Sequence, residues 1–151
     1  MASSKSEIIE LLKTAYSMEL ETVLSYLAHS TNLDGVRAEE IKKSLAADVA
    51  AELGHATQIA QRMKQLGGLT PGSTGVKFGK QKQPSADTTD VIGVIEAVIE
   101  AEEAACNQYK KIIKATEGED YVTQDMCITL LGDEEEHLVL FQGFLKEYKK
   151  A

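Results

Sequence analysis

Two cysteines, two prolines, no tryptophan and only 5% aromatic residues stand in a chain of 151 residues. Cys106 and Cys127 are too few for a disulfide framework, and their spacing is neither Cys-x-x-Cys nor that of a zinc ribbon. The expectation is therefore a cytoplasmic protein. No apolar run approaches the roughly 18 residues that a membrane span needs, and Met1 to Ser6 is polar, so no membrane partner is expected. Basic residues are also outnumbered, 16 Lys and Arg against 24 Asp and Glu, for a formal net charge of −8. Recognition of a phosphate backbone needs a basic face, so no nucleic acid is expected as a partner. What remains is rich in Ala, Glu, Leu, Ile and Lys, a composition that favours helix over sheet. The length suits one domain, residues 1–151, with a sizeable core.

Four segments carry apolar residues at helical spacing. Ser4 with Glu7 offers a capping-box start, and Ile8, Leu12, Ala15, Glu19, Thr22, Tyr26 and His29 follow on one face, predicting helix 1 over about residues 5–31. Asp34-Gly35 then makes a short turn. Helix 2 is predicted from near Ala38 to just before Gly67-Gly68, with Ile41, Leu45, Asp48, Glu52, His55, Ile59 and Met63 facing inward. Between Gly67 and Thr88 lie five glycines and both prolines, Pro71 and Pro84, which reads as a long crossover. Thr88, Thr89 or Asp90 can cap helix 3, whose predicted stripe is Ile92, Ile95, Ile99, Glu102, Cys106, Tyr109 and Ile113. Gly118 should end it. Helix 4 is predicted from about Asp120, with Thr123, Cys127, Leu130, Glu134, His137, Phe141, Phe144 and Tyr148 inward. Long helices joined short, long, short describe an all-α, antiparallel four-helix bundle with one crossover between helices 2 and 3.

The polar interruptions of these stripes form a pattern. Glu52-x-x-His55 and Glu134-x-x-His137 each place a carboxylate and an imidazole on one helix face. Glu19 lies 33 residues before Glu52, and Glu102 lies 32 before Glu134. Both upstream glutamates are followed seven residues later by a tyrosine, Tyr26 and Tyr109. The chain thus writes one helix-pair unit twice, and the four glutamates fall at similar heights in the bundle. Burying four carboxylates together costs several kcal/mol for each ionised group, and like charges raise one another's pKa. Two divalent cations would neutralise them, each also taking one imidazole. A Glu from each of two helices plus Glu-x-x-His from each of the other two is a di-iron or di-manganese ligand set. Oxygen and imidazole donors without thiolates suit iron or manganese better than structural zinc. A solvated acidic face with incidental histidines, in a metal-free helical interaction module, is the competing reading.

With Glu19, Tyr26, Glu52-x-x-His55, Glu102, Tyr109 and Glu134-x-x-His137 in place, the chain resembles the ferritin-like di-iron carboxylate superfamily, most nearly its bacterioferritin and Dps-like branch. Glu19-Leu20 with Tyr26 and His29 is similar to the first-helix motif of that group, and the run from Asp120 through Glu135 to its fourth. The resemblance implies a ferroxidase that oxidises Fe(II) with O2 or hydrogen peroxide, in iron storage or detoxification. It also implies two iron ions per chain, manganese being possible, with Glu52 and Glu134 bridging and Glu19 and Glu102 terminal. Tyr26 and Tyr109 become candidates for hydrogen-bond partners or electron donors beside the metals, against ordinary core packing. Bacterioferritins hold haem with a methionine beside the helix 2 ligand; Leu53 stands there, so no haem is expected. Only 14 residues follow His137, too few for a fifth helix, so a homo-oligomer is expected as a dimer or a 12-subunit shell. The alternative within the superfamily is another di-metal enzyme: a rubrerythrin-like peroxidase, an oxidase or a manganese catalase.

Three inward residues keep open readings. His29 is expected as a cation at the C-terminus of helix 1. Asp48 either bonds a ligand histidine or reaches solvent. Cys106 and Cys127 are small buried apolar residues or, as in some Dps-like proteins, a thiol pair that oxidises beside the metals.

Overall fold

A computed structural model describes residues 3–150. Four long helices make the bundle: α1 (Lys5–Asn32), α2 (Glu39–Gln65), α3 (Val91–Ala115) and α4 (Tyr121–Tyr148), with one 3-10 turn at Val36–Ala38. No strand occurs among the described residues, and no helix there is long and apolar enough to cross a membrane. The all-α bundle predicted from periodicity is the fold observed, with each helix boundary within a few residues of its expected place.

Local chemistry sets those boundaries. Ser4 Oγ accepts the Glu7 amide at 3.1 Å, Asp90 Oδ1 the Gly93 amide at 2.9 Å and Asp120 Oδ1 the Thr123 amide at 3.0 Å. Each satisfies an amide that the first helical turn leaves without a partner. Helix α2 ends in a Schellman motif, in which the Gly68 amide donates to Met63 O at 2.8 Å and that of Gly67 to Lys64 O at 3.0 Å. Gly67 takes φ +87°, a left-handed conformation that glycine adopts without a side-chain clash.

Chain direction follows from which ends meet. The crossover, residues 66–90, leaves the lower end of α2 and reaches the α1–α2 turn, where the Asp34 amide donates to Thr88 O at 2.8 Å and Thr88 Oγ1 to Asp34 Oδ2 at 2.6 Å. So α3 starts beside the end of α1 and runs down, packed against α1 and α4 and parallel to α2, which lies diagonally across the bundle. Helix α4 returns upward, and Tyr148 docks on the same turn, its hydroxyl donating to Arg37 O while Arg37 Nη2 donates to Tyr148 O at 3.2 Å. The directions are up, down, down, up, which only a connection spanning the bundle permits.

The core comes in two apolar layers. The lower centres on Leu12, Ile59, Met63, Tyr109, Ile112 and Leu130, the upper on Tyr26, Ile41, Leu45, Ile95, Val98 and Phe141. Each large aliphatic side chain so buried contributes about 1.5–3 kcal/mol. The inward stripes of α1 and α2 are those read from the sequence, and so is that of α4 from Thr123 to Phe141, with His137 half-buried and Phe144 and Tyr148 half-buried at its end. Helix α3 departs from that reading: Ile92, Ile99 and Ile113 are half-buried, whereas Val94, Val98 and Ile112 are buried with Ile95. Its N-terminal half is apolar nearly all round, so periodicity left its rotation poorly determined.

The crossover is held against α1 by a buried carboxylate. Glu21 Oε2 accepts the amides of Gly79, Lys80 and Gln81 at 3.1, 2.8 and 2.8 Å. Gln81 Nε2 donates to Thr22 Oγ1 at 2.8 Å. Hydrogen bonds to a charged group are worth about 1.5–3 kcal/mol each when buried. Glu21→Ala should therefore weaken the local attachment of the crossover by about 2 kcal/mol and speed hydrogen exchange at residues 79–81, with the amides of α2 and α4 unchanged. Unaltered exchange at those three amides would show that the crossover is held by something else.

Candidate metal centre

Between the two apolar layers lies one polar one. Helix α1 supplies Glu19, α2 Glu52 and His55, α3 Glu102, and α4 Glu134 and His137. All four glutamates are at most 1% exposed. The three-residue spacing turns each histidine onto the face of its own glutamate, and the bundle turns both faces toward one point.

The six side chains form two overlapping sets. Glu19, Glu52, His55 and Glu134 make one; Glu52, Glu102, Glu134 and His137 make the other; within each, the potential ligand atoms lie within 4.8 Å of one another. Glu52 and Glu134 belong to both. His55 Nδ1 is 3.1 Å from Glu134 Oε1 and 3.4 Å from Glu19 Oε2 and Glu52 Oε2. His137 Nδ1 is 3.2 Å from Glu52 Oε1, 3.6 Å from Glu134 Oε1 and 3.8 Å from Glu102 Oε1.

The outward atoms of this cluster are occupied and the inward ones are not. Tyr26 donates to Glu102 Oε1 at 2.6 Å and Tyr109 to Glu19 Oε1 at 2.9 Å. His55 Nε2 meets Asp133 Oδ2 at 3.1 Å, and His137 Nε2 lies 3.5 Å from Asp48 Oδ1. Glu19 Oε2, both Glu52 oxygens, Glu102 Oε2, Glu134 Oε1 and both Nδ1 atoms are sealed from solvent without a hydrogen-bond partner. So many orphaned donor atoms aimed at one place fit a pair of divalent cations, which would satisfy them together. The carboxylate and histidine cluster fits a di-metal site.

Without cations the cluster compensates with protons. Burial, and then the Glu52 carboxylate alongside, raise the pKa of Glu19 well above the ordinary range. Glu134 is pushed up to about 12, burial outweighing the His55 contact. Burial disfavours the ionised form of Glu52 too, but the nearby Glu19, His137 and His55 outweigh it and hold its pKa below the ordinary carboxylate range. Glu102 and Glu52 hold His137 up to about 10. His55 is raised as well, its contacts with Glu134, Glu19 and Glu52 overcoming burial. Both tyrosines are driven well above their usual pKa by burial and the neighbouring carboxylates, so they stay protonated donors.

Periodicity brought all six candidates to the centre; for Asp48, which it turned inward with its role left open, the structure gives a place 3.5 Å from His137 Nε2. It did not reveal Asp133, which is partly exposed in a run of surface acids and whose role depends on the neighbouring helix. Nor did it show that each tyrosine bonds the glutamate of the other helix pair. His29 departs from the expected capping cation: it is buried at the top of α1, and burial pushes its pKa down, which disfavours the charged ring. Cys106 and Cys127 are both free and buried, with thiols raised to about 11 and 12 chiefly by burial.

Comparison with known proteins agrees with this geometry. The ferritin family model, described as the ferritin-like domain, matches residues 9–151. The bacterioferritin of Desulfovibrio desulfuricans is 27% identical over 141 residues, 92% of this chain and 74% of that protein. Its solved structure, described as holding a diiron site, superposes with TM-score 0.82 at 24% identity, covering 96% of this chain and 81% of that one. A DNA protection during starvation protein of Pyrococcus furiosus is 25% identical over 142 residues, 92% of this chain and 77% of that protein. A dodecameric thioferritin of Bacteroides fragilis has TM-score 0.87 at 23% identity, covering 97% of this chain and 88% of that chain.

Because burial raises the pKa of Glu19 and Glu134, and the neighbouring carboxylates raise those of His55 and His137, cations entering the cluster must compete with protons. Adding Mn(II) to the unbuffered protein at pH 7 should release about two or more protons per chain, and affinity should rise steadily between pH 6 and 8. Metal uptake with no proton release would show that the cluster is not where the ions go.

Proposed function

The chain belongs to the ferritin-like domain family, and we propose that it is a ferroxidase, taking up two Fe(II) ions per chain as substrate for oxidation by O2 or hydrogen peroxide. The two ligand sets that share Glu52 and Glu134 support this reading, because they would let two ions sit side by side. Paired there, the two ions supply one electron each to a single oxidant, and a two-metal site holds them about 3.5–4 Å apart.

The protein's own groups have distinct parts in this. Glu52 and Glu134 offer oxygens to both positions, while Glu19 and Glu102 each serve one. Tyr109 and Tyr26 fix one oxygen of Glu19 and Glu102, leaving the other free to turn inward. They act as positioning residues. Asp133 and Asp48 sit at the outer nitrogens of His55 and His137, which favours presenting the inner Nδ1 as a ligand. The His137 side chain is 18% exposed against 5% for His55, so solutes reach the cluster most readily on the His137 side.

A homo-oligomeric assembly belongs to the same reading, as a dimer or a 12-subunit shell storing or detoxifying iron. Leu24, Leu27 and Leu53 lie about half exposed on the outer faces of α1 and α2, as an interface between copies would require. The relative from Bacteroides fragilis is described as dodecameric.

Anaerobic titration should show two tight Fe(II) per chain, followed by rapid growth of ferric absorbance on admitting O2. Glu52→Ala and Glu134→Ala should slow that growth more than about a hundredfold, and Tyr26→Phe or Tyr109→Phe by about tenfold. Wild-type rates in both glutamate variants would overturn the proposal. Peroxide turnover at two irons per chain, with no Fe(II) oxidation beyond it, would point to another di-metal enzyme.

A further inference from the structure

On the outer side of α1 and α3, behind the helix turns that carry Glu19 and Glu102, a cavity of about 590 Å³ lies where the two helices meet the crossover. Its charge runs against that of the chain. Five lysines line it, Lys13, Lys77, Lys80, Lys82 and Lys111, against Glu10, Glu21 and Glu100, in a protein of net charge −8.

The acids there are already engaged. Glu10 pairs with Lys13 at 3.2 Å and Glu100 with Lys82 at 4.0 Å, while Glu21 spends one oxygen on three crossover amides. Lys77, Lys80 and Lys111 have no carboxylate within 4.0 Å among the described residues. The crossover backbone at Lys77 and Lys80 is also pinned to α1. The Lys77 amide donates to Ser17 Oγ at 3.4 Å and the Lys80 amide to Glu21 at 2.8 Å. Ordered positions lower the entropy lost when a ligand binds.

The rest of the wall differs in character. Ala97, Ala101 and Ala104 of α3, with Met18 of α1, give the cavity an apolar part beside the lysines. Gln81, which also lines the cavity, keeps Oε1 sealed from solvent without a donor. A cavity of this volume, part apolar with a few charged groups, suits a small organic ligand. A long polyanion would meet the net negative charge of the whole chain, whereas a compact one meets only the lysines.

We propose that this cavity binds a phosphorylated small molecule of nucleotide size, its phosphates on Lys77, Lys80 and Lys111 and its flat apolar portion on the alanines. This site is independent of iron oxidation. Since the crossover forms one wall, occupancy also braces that segment.

The test uses the intact protein at low salt, titrated calorimetrically with ADP, inorganic pyrophosphate, adenosine and a 20-base-pair DNA duplex. ADP should bind saturably at one site per chain, pyrophosphate more weakly, and adenosine not at all. Saturating ADP should slow tryptic cleavage after Lys77, Lys80 and Lys82 at least fivefold. The variant Lys77→Gln/Lys80→Gln/Lys111→Gln changes only surface side chains, and its fold is checked by its melting curve. It should bind ADP at least tenfold more weakly while oxidising Fe(II) at the wild-type rate. No saturable ADP binding, equal binding by the variant, or tight binding of the duplex in place of ADP would overturn the proposal.

Discussion

Four glutamates buried at one level of a helical bundle are the constraint to which the rest of the molecule answers. Each ionised carboxylate taken from water costs several kcal/mol unless paired, and four together repel one another. The apolar layers above and below supply the packing that makes this burial tolerable. Two imidazoles and a set of shared protons hold the charge in check when no cation does. Replacing such a cluster with aliphatic side chains would be expected to stabilise the fold, so its presence marks a function and not a structural need.

The site is also a joint between the two halves of the chain. Helices α1 and α2 carry one Glu-x6-Tyr and Glu-x-x-His unit, α3 and α4 the other, yet the contacts cross between them. Tyr26 of the first half holds Glu102 of the second, and Tyr109 of the second holds Glu19 of the first. His55 meets Asp133, and His137 faces Asp48. Neither half assembles a complete set alone, because Glu52 and Glu134 come from different halves and serve both positions. The crossover makes the pairing possible by carrying the chain back along the bundle before α3 begins, and Glu21 fastens that long segment to α1.

Much of this was legible in the residues. Helical period alone placed Glu19, Glu52, Glu102 and Glu134 on inward faces, since a charge in an apolar stripe has the same phase as its neighbours. The repeated spacing then brought His55 and His137 with them. What stayed hidden depends on neighbours that period does not specify. The rotation of α3 was blurred by its surrounding of Val, Ile and Ala. The partner of each tyrosine depended on which helices stand adjacent, and Asp133 looked like one more solvated acid before Glu134. His29 looked like a capping cation because it ends a helix, but the crossover buries it and favours the neutral ring. The crossover itself has no period, so neither its fastening nor the lysine-lined cavity beneath it could be read in advance.

The central claim, that the interior carboxylates exist to hold a pair of ions, is tested most directly by anomalous diffraction from crystals soaked with Mn(II) or grown with Fe(II). The account predicts two peaks inside each chain, about 3.5–4 Å apart, lying between Glu52 and Glu134 with one near His55 and the other near His137. An interior without anomalous density, in crystals whose surface carboxylates bind the same metal, would contradict it.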